Sequence, residues 1–123
     1  MNQTVLVPVA DGTEELEAVA IIDVLRRAGA TVTVASVTGA RQIPASCGVV
    51  IGADALIEAC VQKAYDLVVL PGGIPGAEHL RDSAALVGIL RRQRETKRLY
   101  GAICASPAVV EMWGSGGLHI SPQ

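Results

Sequence analysis

Short apolar runs recur along this 123-residue chain, and each leads into the signals of a turn or a helix start. Thr4-Val-Leu-Val-Pro-Val9, Thr31-Val-Thr-Val-Ala-Ser36 and Tyr65-Asp-Leu-Val-Val-Leu70 are rich in aliphatic residues, as strands buried on both faces are. Leu99 to Cys104 is another such run, passing directly into a helix start. Strands that alternate with helices predict an α/β fold: a doubly wound, mostly parallel sheet with helices on both faces. Half of the residues are hydrophobic, yet Tyr65, Tyr100 and Trp113 are the only aromatic ones. A core of Val, Leu, Ile and Ala suits such a sheet.

Between the runs the punctuation is local. Asp11-Gly-Thr-Glu14 has capping-box spacing, and the helix it opens is expected to end at Arg26-Arg27-Ala28-Gly29, with cations and a glycine stop. Val49-Val-Ile51 reads as a short third strand, Ala53 to Ala64 as a short helix, and Ala84 to about Lys97 as a longer one. One α/β domain over residues 1–113 and a loop-like tail over 114–123 are expected.

Charge and cysteine usage exclude several classes. Ten Lys and Arg against twelve Asp and Glu give a net charge of −2 with no broad basic field, so neither nucleic acid nor a membrane surface is an expected partner. Cys47, Cys60 and Cys104 are odd in number and contain no C-x-x-C pair, which disfavours a disulfide framework or a zinc site. No metal and no cofactor are expected. No basic leader opens the sequence and no apolar run approaches bilayer length, so a cytoplasmic protein with reduced thiols is expected.

In doubly wound sheets the functional crevice lies at the carboxyl ends of the strands. Three loops converge there: Ala10 to Glu17, Pro71 to Ala77 and Cys104 to Pro107. Cys104 stands where a strand becomes a helix, with Ser106 suited to the cap and Pro107 to the first helical position. The N–H groups and dipole of that helix favour a thiolate, although a lone cysteine after an apolar strand also reads as packing. Glu17 shares a helical face with Ile21, Val24 and Ala28, expected to lie on the sheet. A carboxyl buried there tends to hold its proton and can donate to a thiolate, whereas the plainer reading of Glu14, Glu15 and Glu17 is acidic decoration of a first turn. Gly72 and Gly73 read either as a tight turn or as part of an oxyanion hole, with the N–H groups of Gly73 and Ala105 as donors. Cys47 and Cys60 read as surface or packing thiols, Arg27 as an ordinary cationic helix end, and His79 as a surface residue.

Taken together, Asp11-Gly-Thr-Glu-Glu-Leu-Glu17, Leu70-Pro-Gly-Gly-Ile-Pro-Gly76 and Ala102-Ile-Cys-Ala-Ser-Pro107 resemble the ThiJ/PfpI superfamily. The similarity runs to about Trp113 and is nearest to the branch of the parkinsonism-associated deglycase and glyoxalase III-like proteins. It implies a flavodoxin-like fold shared with class I glutamine amidotransferases. It also implies Cys104 as reactive nucleophile, Glu17 as the protonated carboxyl beside it, Gly73 and Ala105 as backbone donors, and Gly72 and Ser106 in support. Small reactive aldehydes or glycated groups are the implied substrates, and a homodimer the implied assembly. Ala105 stands where the peptidase-like members carry histidine, which disfavours an intrinsic protease. A short C-terminal part is expected relative to the family, without its later strands or the histidine beyond the cysteine. That role is not assigned to His119. Two other readings stand beside the enzyme: a non-catalytic, redox-sensing chaperone using the same thiol, and an inactive truncated fragment.

Overall fold

The structure, a computed structural model, describes residues 3–102 together with 120 and 121. Its centre is β1 (Thr4–Val9), flanked by β2 (Thr31–Ser36) on one side and β6 (Leu67–Leu70) on the other. With β5 (Ala55–Leu56), β7 (Leu99–Ala102) and β8 (Ile120–Ser121) they form a six-stranded sheet in the order β5-β2-β1-β6-β7-β8. All pairings are parallel except β7 with β8. The remaining strands, β3 (Gln42–Pro44) and β4 (Val50–Gly52), make a separate antiparallel hairpin. Among the described residues, the α-helices are α1 (Glu15–Arg27), α2 (Gly76–Arg81) and α3 (Ala84–Glu95).

The aliphatic runs form strands because both faces of the sheet are covered. Val5, Val7 and Val9 point to one face, where they meet Ala18 of α1 and Ile43, Ala45, Ile51 and Ala53 of the hairpin region. Leu6, Val68, Leu70 and Tyr100 point to the other, against Leu80, Leu86, Ile89 and Leu90 from α2 and α3. This period-2 division of β1 between two cores explains its uninterrupted hydrophobicity. Toward β6 the α1 face is less covered: half-buried Leu67 and Val69 line, with Ala20, Ile21, Val24 and Leu25, an apolar groove of about 370 Å³.

Several local expectations are corrected. The N-cap of α1 is Glu14, three residues beyond the expected Asp11, and its side chain accepts from the Glu17 amide. The sheet-facing line of α1 runs through Ala18, Ile21, Ile22 and Leu25, so the expected stripe is a flank: Val24 is 63% exposed and Ala28 is exposed. The expected stop holds, with Gly29 at φ 94. Ala53 to Ala64 forms β5 and a 3-10 turn (Ile57–Cys60) rather than one helix. The Asp54 carboxylate accepts the Val34 amide at 2.9 Å and so ties this segment beside β2 in extended form. Val49 to Ile51 belongs to the hairpin, turned at Gly48 with φ 90, and not to the main sheet. In the tail expected to be loop-like, Ile120 and Ser121 pair with Gly101 and Tyr100 along the outer edge of β7, which satisfies backbone groups an edge strand leaves open. Among the described residues no helix is long and apolar enough to cross a membrane.

Candidate functional site

β1 has β2 on one side and β6 on the other, so the chain reverses its winding direction between β1 and β6. At such a switch point the loops leaving the carboxyl ends diverge and open a crevice. Here those loops are residues 10–14 after β1 and 71–75 after β6. The first is a tight turn: the Ala10 amide donates to Thr13 Oγ1 at 2.9 Å and the Thr13 amide returns to the Ala10 carbonyl at 3.0 Å. Thr13 is fully buried.

The two loops press together backbone to backbone. Gly73 has φ 103, and a Cβ on it would lie 2.5 Å from the Glu14 nitrogen and 2.7 Å from the Gly12 carbonyl oxygen. A Cβ on Gly76 would lie 2.5 Å from the Thr13 nitrogen. Glycine is therefore required here by close approach, and at Gly73 by conformation as well.

Three hydrogen bonds close a ring across this contact. The Glu14 amide donates to the Gly72 carbonyl at 2.9 Å, the Gly72 amide donates to Glu17 Oε1 at 2.9 Å, and the Glu17 amide donates to Glu14 Oε1 at 3.0 Å. The expected site residues Glu17, Gly72 and Gly73 are thus brought together. Glu17 is half-buried rather than enclosed in the apolar core, because its face of α1 flanks the sheet.

β7 runs parallel to β6 with Ala102 opposite Leu70, so the two strands end side by side. Cys104, Ala105 and Ser106, the next expected site residues along the chain, lie outside the described residues.

The neighbouring carboxylates differ in what they do. Glu15 accepts from Ser46 Oγ at 2.8 Å and from the Cys47 and Val49 amides at 2.9 and 3.3 Å. Its carboxyl is held below the ordinary value, first by a bond from its own backbone amide and then by these hairpin donors. Donor atoms of Glu14, Glu15 and Cys47 lie within 4.8 Å of one another, but Glu15 is engaged by the hairpin and Glu14 by the helix cap. This cluster joins a helix to a hairpin.

Reading the three glutamates as a decorated first turn missed these separate partners. The usable signal was the Glu14-x-x-Glu17 spacing, which is that of a cap and its third helical residue. Cys47 is exposed and Cys60 buried, as surface and packing thiols are. Arg27 pairs with Asp23 at the far end of α1, and His79 is exposed on α2.

Comparison with known proteins agrees with this geometry. Residues 3–117 match the model of the DJ-1/PfpI family. The chain is 53% identical over 106 residues to Protein DJ-1 homolog B of Arabidopsis thaliana, covering 86% of this chain and 24% of that one. It is 34% identical over 108 residues to the glutathione-independent glyoxalase DJR-1.2 of Caenorhabditis elegans, covering 86% of this chain and 55% of that protein. Among solved structures, oxidized DJ-1 of Toxoplasma gondii superposes with a TM-score of 0.88 at 53% identity, over 90% of this chain and 60% of the other. The chain thus spans only part of the length of these relatives, yet the residues matched to the family contain β1 to β7, the switch-point loops and the glutamate–glycine ring. By sequence and by fold, it belongs to the DJ-1/PfpI family.

Proposed function

We propose that the chain carries out cysteine-dependent chemistry on small reactive carbonyls, of the glyoxalase III or protein deglycase type, as part of an oxidative-stress response. Cys104 is the nucleophile, Glu17 the acid and base, and the N–H groups of Gly73 and Ala105 the donors to a developing oxyanion, with Gly72 and Ser106 in support. The observation that carries this reading is the bond from the Gly72 amide to the Glu17 carboxylate at the carboxyl ends of β6 and β7. It holds a carboxyl group at the switch-point crevice, on the side where β6 and β7 end together. The similarity to a nematode protein named a glutathione-independent glyoxalase supports the carbonyl substrate class.

With methylglyoxal, the thiolate attacks the aldehyde carbon, a C–S bond forms, and the carbonyl π pair moves to oxygen, which takes a proton. Glu17 then moves the C1 proton to C2 while the C1 hydroxyl proton passes to the C2 oxygen, and the hemithioacetal becomes a thioester of a 2-hydroxy acid. Water cleaves the thioester, releasing lactate and restoring the thiol. The balance is methylglyoxal plus water to lactate and a proton, with no external oxidant or reductant.

The same reading includes a cytoplasmic α/β domain over residues 1–113 and a homodimer. Dimerisation is supported by solvent-exposed apolar residues on α1 and the hairpin: Leu16 is 75% exposed, Val24 63% and Val50 61%. Neither nucleic acid nor membrane is a partner in it. A second reading, redox sensing through Cys104, draws on the oxidized form in which the Toxoplasma relative was solved.

The test compares wild type with Cys104→Ala by residue-resolved mass spectrometry after iodoacetamide and after mild peroxide, together with methylglyoxal turnover. Fast modification and turnover, both lost in the variant, establish the enzyme. Fast modification without turnover moves the function to redox sensing. Slow modification of Cys104 overturns both thiol-based readings and leaves an inactive fragment.

A further inference from the structure

We propose that Glu14 is a positioning residue for Glu17, acting through the three-bond ring. The inference deepens the proposed function and rests on Glu17 being the acid and base of that site. Glu14 contributes its amide and its side chain to the ring. Its amide holds the Gly72 carbonyl, and its side chain holds the amide of Glu17. The third bond, from the Gly72 amide to Glu17 Oε1, then joins two groups that Glu14 has already located.

Capping preference alone does not place a glutamate here. Ser, Thr, Asp and Asn make the N-cap bond from shorter side chains and are favoured for it. The Glu14 backbone has the extended geometry of a cap, with φ −73 and ψ 111, and packs against Gly73, which tolerates that approach only because it lacks a Cβ. Truncating the Glu14 side chain leaves its amide bonded to Gly72 and releases the Glu17 amide, loosening the first turn of α1 against the 71–73 loop. The Glu17 carboxylate then loses its fixed position on the Gly72 amide. Oε1 of Glu14 is engaged by an amide and touches no reacting atom, so its action on the reaction is indirect.

The experiment measures the pH profile of Cys104 alkylation by iodoacetamide, resolved by peptide mass spectrometry, alongside methylglyoxal kcat and KM. Glu14→Gln, which keeps an oxygen acceptor, is expected to retain the wild-type profile. Glu14→Ala is expected to shift it and to lower the neutral-pH alkylation rate about fivefold, a fold-change of the size a lost N-cap bond corresponds to. The loss falls on kcat rather than KM, because substrate contacts are untouched.

Should Glu14→Ala fold poorly, Glu14→Gly serves instead, since glycine is tolerated at an N-cap but supplies no acceptor. Combining Glu14→Ala with Glu17→Gln is expected to add no further shift. If Glu17→Gln moves the Cys104 profile while Glu14→Ala and Glu14→Gly lower only the melting temperature, the positioning role is overturned and the role of Glu17 stands. If neither position affects the profile, the reading of Glu17 falls as well.

Discussion

The Gly72 amide donates to Glu17 Oε1 at 2.9 Å, joining residues 55 positions apart at the carboxyl end of β6. This bond links the first helix to the loop after the central strands, so it contributes to stability as well as aim. Glu17→Ala removes the acceptor of this amide in the half-buried contact and is expected to destabilise the domain by about 1–2 kcal/mol. Glu17→Gln retains an oxygen acceptor and should cost less than half of that. Urea unfolding of both variants checks the order; equal losses would mean that the bond contributes nothing beyond side-chain packing.

The glycines give a sharper contrast. At Gly73 an added methyl meets the Glu14 nitrogen and the Gly12 carbonyl oxygen while the backbone sits at φ 103. Overpacking against backbone atoms and an unfavourable φ act together, and Gly73→Ala should lose about 2–4 kcal/mol. Gly88, inside α3, has nothing within 4 Å of an added Cβ and an ordinary helical φ. Gly88→Ala should therefore gain about 0.5–1 kcal/mol from helix propensity. Melting temperatures that move in the same direction for both substitutions would refute this account.

These loops also mark where the chain could be read from its sequence and where it could not. The continuous aliphatic runs of β1 and β2 identified both strands to the residue because a two-sided burial leaves a local imprint. The helix expected over Ala53 to Ala64 failed because its composition of Ala, Leu and Glu favours helix, while the Asp54 carboxylate, bonded to Val34 and Arg26, holds the chain extended. The Gly72-Gly73 turn was legible, but the reason for its glycines was not, since that depends on the backbone of Gly12 and Glu14 across the crevice. Glu17 was expected to be buried on a sheet-facing stripe, a burial it does not have. Its defining partner is an amide that spacing along one helix cannot reveal.

Tyr65 tests the cost of an unmet polar group. Its ring is 4% exposed, and its hydroxyl has no hydrogen-bond partner among the described residues. Burial, followed by the neighbouring Cys60 thiol, pushes the phenol above its ordinary value near 10.0. A raised folded pKa means that the folded state keeps its proton while the unfolded chain loses it, so stability is intact below about pH 10 and falls as the pH rises beyond it. Tyr65→Phe should leave stability at neutral pH unchanged or raise it by up to about 1 kcal/mol, and should abolish the alkaline decline. A loss above about 1 kcal/mol at neutral pH would show that the hydroxyl is bonded after all.

At the acid end the sign reverses. Asp66 accepts the Thr4 amide at 2.8 Å and the Thr4 hydroxyl at 3.1 Å, with Arg98 at 3.8 Å, and these bonds hold its carboxyl below the ordinary value. Glu15 is lowered in the same way by its own amide and the hairpin donors. A carboxyl whose folded pKa is depressed contributes stability above its unfolded value and loses it as the pH falls through the folded one. Wild type should therefore be more stable than Asp66→Ala and Glu15→Ala at neutral pH, with the difference shrinking steadily from about pH 5 downward. Because Asp66 lies at the start of β6 and Glu15 at the hairpin, far from shared partners, the two effects should add. Urea unfolding from about pH 7 to about pH 3 measures this. A gap that stays constant with pH in either variant would assign that carboxylate a packing role and remove its charge from the account of acid stability.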